Sequence, residues 1–478
     1  MKNVLLLVLL LLGGVPSFAA ESYRELYVKP SATNASNING GSSEERLFRR
    51  TNGNWNTSTK VFTATGDTLD SSWVGHVACV CADGTTTGAY FAVITAIDNT
   101  AKTITLSSSL TVGSAPATST TARTITIGGA WTGMSGSTLF PTTVSFTGLC
   151  TLPQMPRINF CGDFSVTSTI ALASMVNHVC AGCTTTPGDG GISKWQFDGS
   201  GDVSVTSISG TSASIFLDSI WIRNQSTHAT GLSARGVLFT PTSGVLTMRR
   251  CRVSDCKQEG IYVGGPCDCV LDQCEVYNCL TAGSPNSGAG SVYSTASTAF
   301  LSVSNSIVHD CPNGTAAIYT AGSSFITDTV FENCYAGVYG ANSGCTLKNC
   351  VIANCTYATR IVDARTIAAT CLATVFVGNT NVAEIASSNQ RNMHIGCAYY
   401  NNTNKVSGSG FIQEIGTYDL TRSCLVDPEN GDFRTRESSL RGRVDAAPPQ
   451  SSSYYSKTMS LRRTPGIEPS NPFYRLAP

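Results

Sequence analysis

From Leu246 to Cys355 apolar and polar residues alternate in short runs, and each run closes on a cysteine: LTMRRCRVSDC, CVLDQCEVYNC, LSVSNSIVHDC, SFITDTVFENC, CTLKNCVIANC. The closing residues Cys256, Cys279, Cys311, Cys334 and Cys355 are 23, 32, 23 and 21 residues apart. Alternation such as Met248, Cys251, Val253 or Leu271, Cys274, Val276 predicts short strands with one buried face. Asn or Asp precedes every closing position (Asn224, Asp255, Asn278, Asp310, Asn333, Asn354, Asn379), with the register extended to Gln225 and Thr380. These residues tolerate left-handed backbone and bond their own turns, so each marks a corner. Stacked at one spacing, they can also form a hydrogen-bonded ladder. A second strand follows each corner: Gly260-Ile261-Tyr262, Ser291-Val292-Tyr293, Ala317-Ile318-Tyr319 and Gly337-Val338-Tyr339. The tyrosines lie 17, 18, 15 and 16 residues before the next closing cysteine, whereas the corner-to-tyrosine distance varies with insertions such as Thr281–Gly290. Constant coils with variable loops at one corner predict an all-β solenoid of stacked parallel turns.

With about 22 residues per turn and no helical period, this ladder resembles the pectate-lyase-like β-helix superfamily over roughly Asn159 to Leu425. The resemblance implies a right-handed parallel β-helix; it is specific for fold and not for reaction. The opening Leu26-Tyr27-Val28-Lys29-Pro30, followed by an Asn/Gly-rich loop, resembles the start of many secreted β-helix proteins. Asp427-Pro428-Glu429-Asn430-Gly431-Asp432-Phe433-Arg434 resembles their closing motif, with Ser439 where proline is usual.

Four segments follow. Residues 1–19 read as a secretory signal peptide, with Lys2, the apolar run Val4–Leu12 and Ser17-Phe18-Ala19. Residues 20–135 contain strand-like runs Lys60–Thr65, Gly75–Ala82, Ala89–Ile97, Thr103–Leu106 and Thr124–Ile127, and read as a small β subdomain capping the coil. Thr111–Thr124 reads there as a linker. Residues 136–425 form the coil, with its register clear from Ile222 and a further turn at Cys397–Asn402. Residues 426–478 hold the closing motif and a Pro/Ser/Arg-rich tail from Ala446, either disordered or a strap along the coil.

The signal segment makes a secreted or cell-surface location the expectation, and its apolar run is too short to span a bilayer. No other stretch suggests a membrane span. The 31 basic residues balance 31 acidic ones, and charged residues are only 13%, which argues against a nucleic-acid partner. The oligomeric state does not follow from the sequence.

Twenty cysteines in an exported chain would suggest disulfides. Stacked cysteines one strand spacing apart, however, point the same way and strain such a bond. The preferred reading is a space-filling column. Ser306 and Thr329 replace cysteine in the second column with Cys251, Cys274 and Cys350, which agrees with filling rather than pairing. His178-Val-Cys180-Ala-Gly-Cys183 offers three zinc ligands or a thiol-redox spacing, but no second pair accompanies it. It reads as a loop, and Cys79/Cys81 and Cys267/Cys269 as packing pairs. No metal and no cofactor are expected.

If Ile261, Val292, Ile318 and Val338 face inward, then Tyr262, Tyr293, Tyr319 and Tyr339 face outward, one per turn. Small residues before them (Gly260, Ser291, Ala317, Gly337) would leave a shallow trough. Such a stripe suits stacking on sugar rings, and extracellular polysaccharide is the partner it points to. The alternatives are a ladder that only stabilises the sheet, and a protein interface. Arg360, taken to replace the next small residue, would neutralise a uronate carboxylate in a polysaccharide lyase, with Lys257 or Glu259 as weak base candidates. Arg249 beside Asp272, and Arg252 beside Glu275, read as charge pairs between turns. Against the glycan reading stands a non-catalytic adhesin or structural matrix protein; a phage-type tailspike is disfavoured by the signal segment.

Overall fold

The structure is a computed structural model that describes residues 24–30, 32–82, 89–109, 116–133, 156–172, 176–228, 233–281, 290–313, 316–340, 344–361, 367–420, 425–427 and 432–435. The signal segment, most of the Thr281–Gly290 insertion, Ser439 and the tail from Ala446 lie outside the described residues.

Three long parallel sheets stack strand on strand, with 12, 11 and 10 strands. One turn of the coil contributes one strand to each. Gly244–Arg249 lies in sheet one, Arg252–Ser254 in sheet two and Ile261–Val263 in sheet three. Successive turns keep their register, so Met248, Leu271, Val303, Ile326, Leu347 and Cys371 stack in one inward column. Such columns merge into one apolar core running the length of the coil. A solenoid gains its stability this way, because no single turn can bury its own apolar face.

Two corners are built from left-handed residues. The anticipated one holds Asp255 (φ 60°), Asn278 (49°), Asp310 (53°), Asn333 (51°) and Asn354 (55°). Here Asn278 Nδ2 donates to Asp255 Oδ1 at 2.6 Å and Asn333 Nδ2 to Asp310 Oδ1 at 3.1 Å. Asn224 and Asn379 depart from the expectation. Asn224 is buried and spends its amide on the Val203 and Arg235 carbonyls. At the later turn the register sits one residue earlier: Gly378 (φ 64°) makes the corner. Asn379 then takes the cysteine's place, donating to Ile352 O and accepting from Cys355 N. Between sheets one and two runs another left-handed column, Ser219, Arg250, Gln273, Asn305, Asp328, Asn349 and Ala373.

After most of these corners, Ile220 and Asn379 being the exceptions, the next residue is cysteine, serine or threonine, and in many turns its side chain donates back to the carbonyl two residues earlier. Cys279 does so to Tyr277, Cys311 to His309, Cys334 to Glu332 and Cys350 to Lys348. Ser306 and Thr329 make the same bond, to Ser304 and Thr327. Both cysteine columns are free and buried, as space-filling requires. A thiol and a small hydroxyl both close this turn, which explains their exchange between repeats. One disulfide joins Cys161 to Cys183 on directly stacked strands (Cα–Cα 4.5 Å), so stacking does not forbid the bond at a strand end.

The N-terminal region differs from the expected cap in its order. Arg24–Val28 pairs in parallel with Pro156–Cys161 and is itself the first strand of sheet one. Between them the chain forms a closed antiparallel barrel of six strands: Arg46–Asn56, Val61–Thr63, Val77–Ala82, Tyr90–Asp98, Thr103–Ser109 and Ser119–Gly128. The first of these was not anticipated, because most of its side chains are polar and exposed. The last takes up half of the supposed linker Thr111–Thr124. Trp55, Phe62, Ile94 and Ile125 fill the barrel. The other face of Val77–Ala82, with Phe91, joins the coil core beside Leu26, Val28, Trp131 and Phe160. At the far end Asn404–Gly408, Phe411–Ile415 and Tyr418–Asp419 add a turn beyond Cys397, and Leu425–Asp427 pairs antiparallel with Asp432–Thr435.

Candidate functional site

The four tyrosines occupy one outward column of sheet three: Tyr262 pairs with Tyr293, Tyr293 with Tyr319 and Tyr319 with Tyr339. All four are half-buried. Their rings pack on each other, edge-on at 5.4 and 4.6 Å for the first two steps and stacked at 4.8 Å (11°) for the third. Burial, reinforced by the neighbouring phenols, pushes Tyr293 up to about 12. The Tyr293 hydroxyl therefore stays protonated, and a donor, at neutral pH.

The expected trough beside the tyrosines is absent. Ser291 and Ala317 are fully buried. A Cβ on Gly260 would meet Cys279 Sγ at 2.9 Å, and one on Gly337 would meet Ala358 O at 2.7 Å. At this bend two consecutive residues point inward, so alternation begins only with Ile261, Val292, Ile318 and Val338.

Arg360 is also placed differently. It pairs with Tyr339, so it occupies the tyrosine column itself, one turn on, and not the column of small residues. Its guanidinium lies 5.5 Å from the Tyr339 ring centre and forms an ion pair with Glu384 at 2.5 Å. At the other end Arg235 lies 4.8 Å over the Tyr262 ring and bonds the buried Glu259 carboxylate at 2.7 Å. The tyrosine stack is thus closed at both ends by an arginine that is itself neutralised. Lys257 donates its ammonium to the His228 carbonyl. Glu259 and Arg360 are separated by about four turns, roughly 19 Å. They do not meet at one sugar ring, and the cation-plus-base arrangement of a lyase is not assembled.

A charged network that sequence reasoning did not find lies on the outward face of sheet two. Arg252 pairs with Glu275 at 3.1 Å, as anticipated; the other anticipated pair, Arg249 and Asp272, approaches to 3.9 Å on sheet one. Beyond its pair with Arg252, Glu275 reaches His309 Nε2 at 3.3 Å, while Asp310 holds His309 Nδ1 at 2.7 Å. The ring stacks flat on Tyr277 (5.1 Å, 8°). Burial opposes a charged imidazole here, but the bonds to Asp310 and Glu275 outweigh it and lift His309 to about 9. Glu332, one turn above, is pushed up to about 7 by burial, against the pull of His309. Trp221 carries Lys194, Arg223 and Arg252 around its ring at 5.7–5.9 Å. Each of these cations has a carboxylate partner: Asp163, Asp255 and Glu275.

The His178–Cys183 run is a strand, Val176–Cys183, rather than a loop. Cys180 is buried in the core and Cys183 is spent on the disulfide. Among the described residues no group of three His, Cys, Asp or Glu is arranged to hold a metal.

The chain matches the family model described as the right handed beta helix region over residues 235–411, the span that carries the tyrosine column. The coil is a right-handed parallel β-helix. No curated protein sequence matches the chain. Among solved structures, the β-helix is similar to the tailspike protein gp49 from Pseudomonas phage LKA1 (11% identity, 83% of this chain and 70% of that one, TM-score 0.23). It is also similar to the catalytic unit of a GH87 α-1,3-glucanase from Streptomyces thermodiastaticus (11%, 79% and 87%, TM-score 0.29). A third is the A-module of the Azotobacter vinelandii mannuronan C-5 epimerase AlgE4 (8%, 56% and 91%, TM-score 0.20).

Proposed function

We propose that this β-helix protein acts outside the cell as a non-catalytic receptor for an extracellular polysaccharide laid along Tyr262, Tyr293, Tyr319 and Tyr339. The observation that carries the proposal is the unbroken register of four outward phenols at one strand spacing, each half-exposed. Ring edges and hydroxyls in a row suit the apolar faces and hydroxyls of a sugar chain running along the coil. Lyase chemistry is not part of the proposal, because Arg360 is neutralised and stands far from Lys257 and Glu259. A second reading, an adhesin or matrix protein in which the tyrosines only brace sheet three, draws on their mutual stacking.

Retention of the purified protein on a panel of immobilised neutral and acidic polysaccharides separates the two, read beside the absorbance of unsaturated uronates. Tyr319→Phe keeps the stack and removes one hydroxyl, so it is expected to weaken retention severalfold with thermal unfolding almost unchanged. Tyr319→Ala loses both, with about 1 kcal/mol of stability from the lost ring pairs. Retention insensitive to both variants, or no retention on any glycan, would leave the bracing role alone. Product absorbance would restore the lyase.

A further inference from the structure

The outward column of sheet three continues past the tyrosines. Leu238 precedes Tyr262, and Arg360, Glu384 and Ser407 follow Tyr339. The column thus carries one cation and one anion, Arg360 and Glu384, joined to each other. Their side chains are 26% and 24% exposed, so a ligand on this face can reach both. At the opposite end Arg235 is joined to Glu259. Lys257, two residues before Glu259, turns its ammonium to the His228 carbonyl. The stripe also widens at the Arg360 end. Tyr357 pairs with Ala336, the neighbour of Tyr335, so these two rings lie off the column, where the chain enters sheet three. They meet edge-on at 5.5 Å. With Tyr339 they stand around the Arg360 guanidinium at 5.5–5.8 Å. A single file of rings becomes a three-ring platform around an arginine–glutamate pair.

We propose that the tyrosine column reads a neutral polysaccharide, with Arg360, Glu384, Tyr335 and Tyr357 as its end subsite; the inference rests on the glycan reading above. The chemistry of the pair carries it. A guanidinium offers only donors and a carboxylate only acceptors. Side by side they match the vicinal hydroxyls of a sugar, each of which donates and accepts. The three rings cover the apolar C–H face of the same sugar. An acidic sugar fits worse. Arg235 and Arg360 already hold their carboxylates, and a uronate would bring a second one against Glu384. Such a repulsive element sets specificity as much as the attractive ones do. From Tyr262 to Arg360 is four turns, roughly 19 Å, so the whole column is engaged only by a chain of several sugars.

The test is retention of the full chain on dextran, galactomannan and β-glucan columns beside polygalacturonate, each at low and high salt. The parent is expected to be held by a neutral column with little dependence on salt. Glu384→Gln leaves Arg360 charged and uncompensated. It is expected to lose severalfold on that column and to gain retention on polygalacturonate that salt abolishes. Tyr357→Ala is expected to weaken neutral retention severalfold, with the melting temperature kept. Salt-sensitive retention of the parent on polygalacturonate, or a Glu384→Gln protein that behaves as the parent on every column, would overturn the neutral class and leave the receptor standing. Neutral retention untouched by Tyr357→Ala would remove the end subsite. No retention of the parent on any column would remove the receptor itself, and this inference with it.

Discussion

His309 concentrates the electrostatics of sheet two in one side chain. Its folded pKa, about 9, stands above the ordinary value of 6.5. Stability from this group is therefore complete below about pH 6.5 and is lost as pH rises through 9. Thermal scans should show a melting temperature falling between pH 7 and pH 10, and His309→Gln should flatten that fall. Glu332 acts with the opposite sign. A carboxyl raised to about 7 penalises the folded state once it ionises. Glu332→Gln should stabilise by about 1–2 kcal/mol at pH 8, screening included, and change little at pH 5. Equal effects at both pH values would mean that Glu332 is not held protonated. None of this was legible in the sequence, because the partners Glu275, His309 and Glu332 lie 23 to 34 residues apart and meet only through the register. The tyrosines were legible because each repeat presents the same residue at the same phase. Arg360 was misplaced because its turn lacks the Gly-Val-Tyr marker that fixes the phase.

At the scale of the turn, two corners use the same left-handed backbone with different degrees of sequence signal. The Asn/Asp corner declares itself because local preference and structure agree. The other accepts Ser219, Arg250, Gln273 and Ala373 alike. Asn305, Asp328 and Asn349 share that column, but the other four positions show that the stacked strands on either side impose the conformation without a constant residue type. The difference is measurable. Asn333→Ala should cost about 1–2 kcal/mol in denaturant unfolding, from the left-handed backbone and the lost bond to Asp310. Asn333→Gly should recover much of that, since glycine enters this region freely. Ala373→Gly, at a corner already held by a residue poor in this conformation, should stabilise by several tenths of a kcal/mol or more. The back-bonded column makes a parallel prediction: Cys350→Ser should unfold within about 1 kcal/mol of the parent, because Ser306 and Thr329 already fill that role.

At the scale of the whole molecule, the described residues form one coil interrupted once, by the barrel. Sequence periodicity captured the coil from Ile222 onward and the strands of the barrel other than Arg46–Asn56. It did not show that Arg24–Val28 belongs to the coil, because one strand has no period. The strand pairs with Pro156–Cys161 across 132 residues, and the barrel is held between them. The consequence is one of timing during synthesis. The first strand emerges from the ribosome long before its partner and must wait, edge exposed, while the barrel closes behind it. Closure of so long a loop is slow compared with pairing between adjacent turns. In stopped-flow refolding, changes at Leu26 or Ile158 should therefore leave the early phase intact and slow a late one. The end of the chain made first is expected to be the last part of the coil to lock.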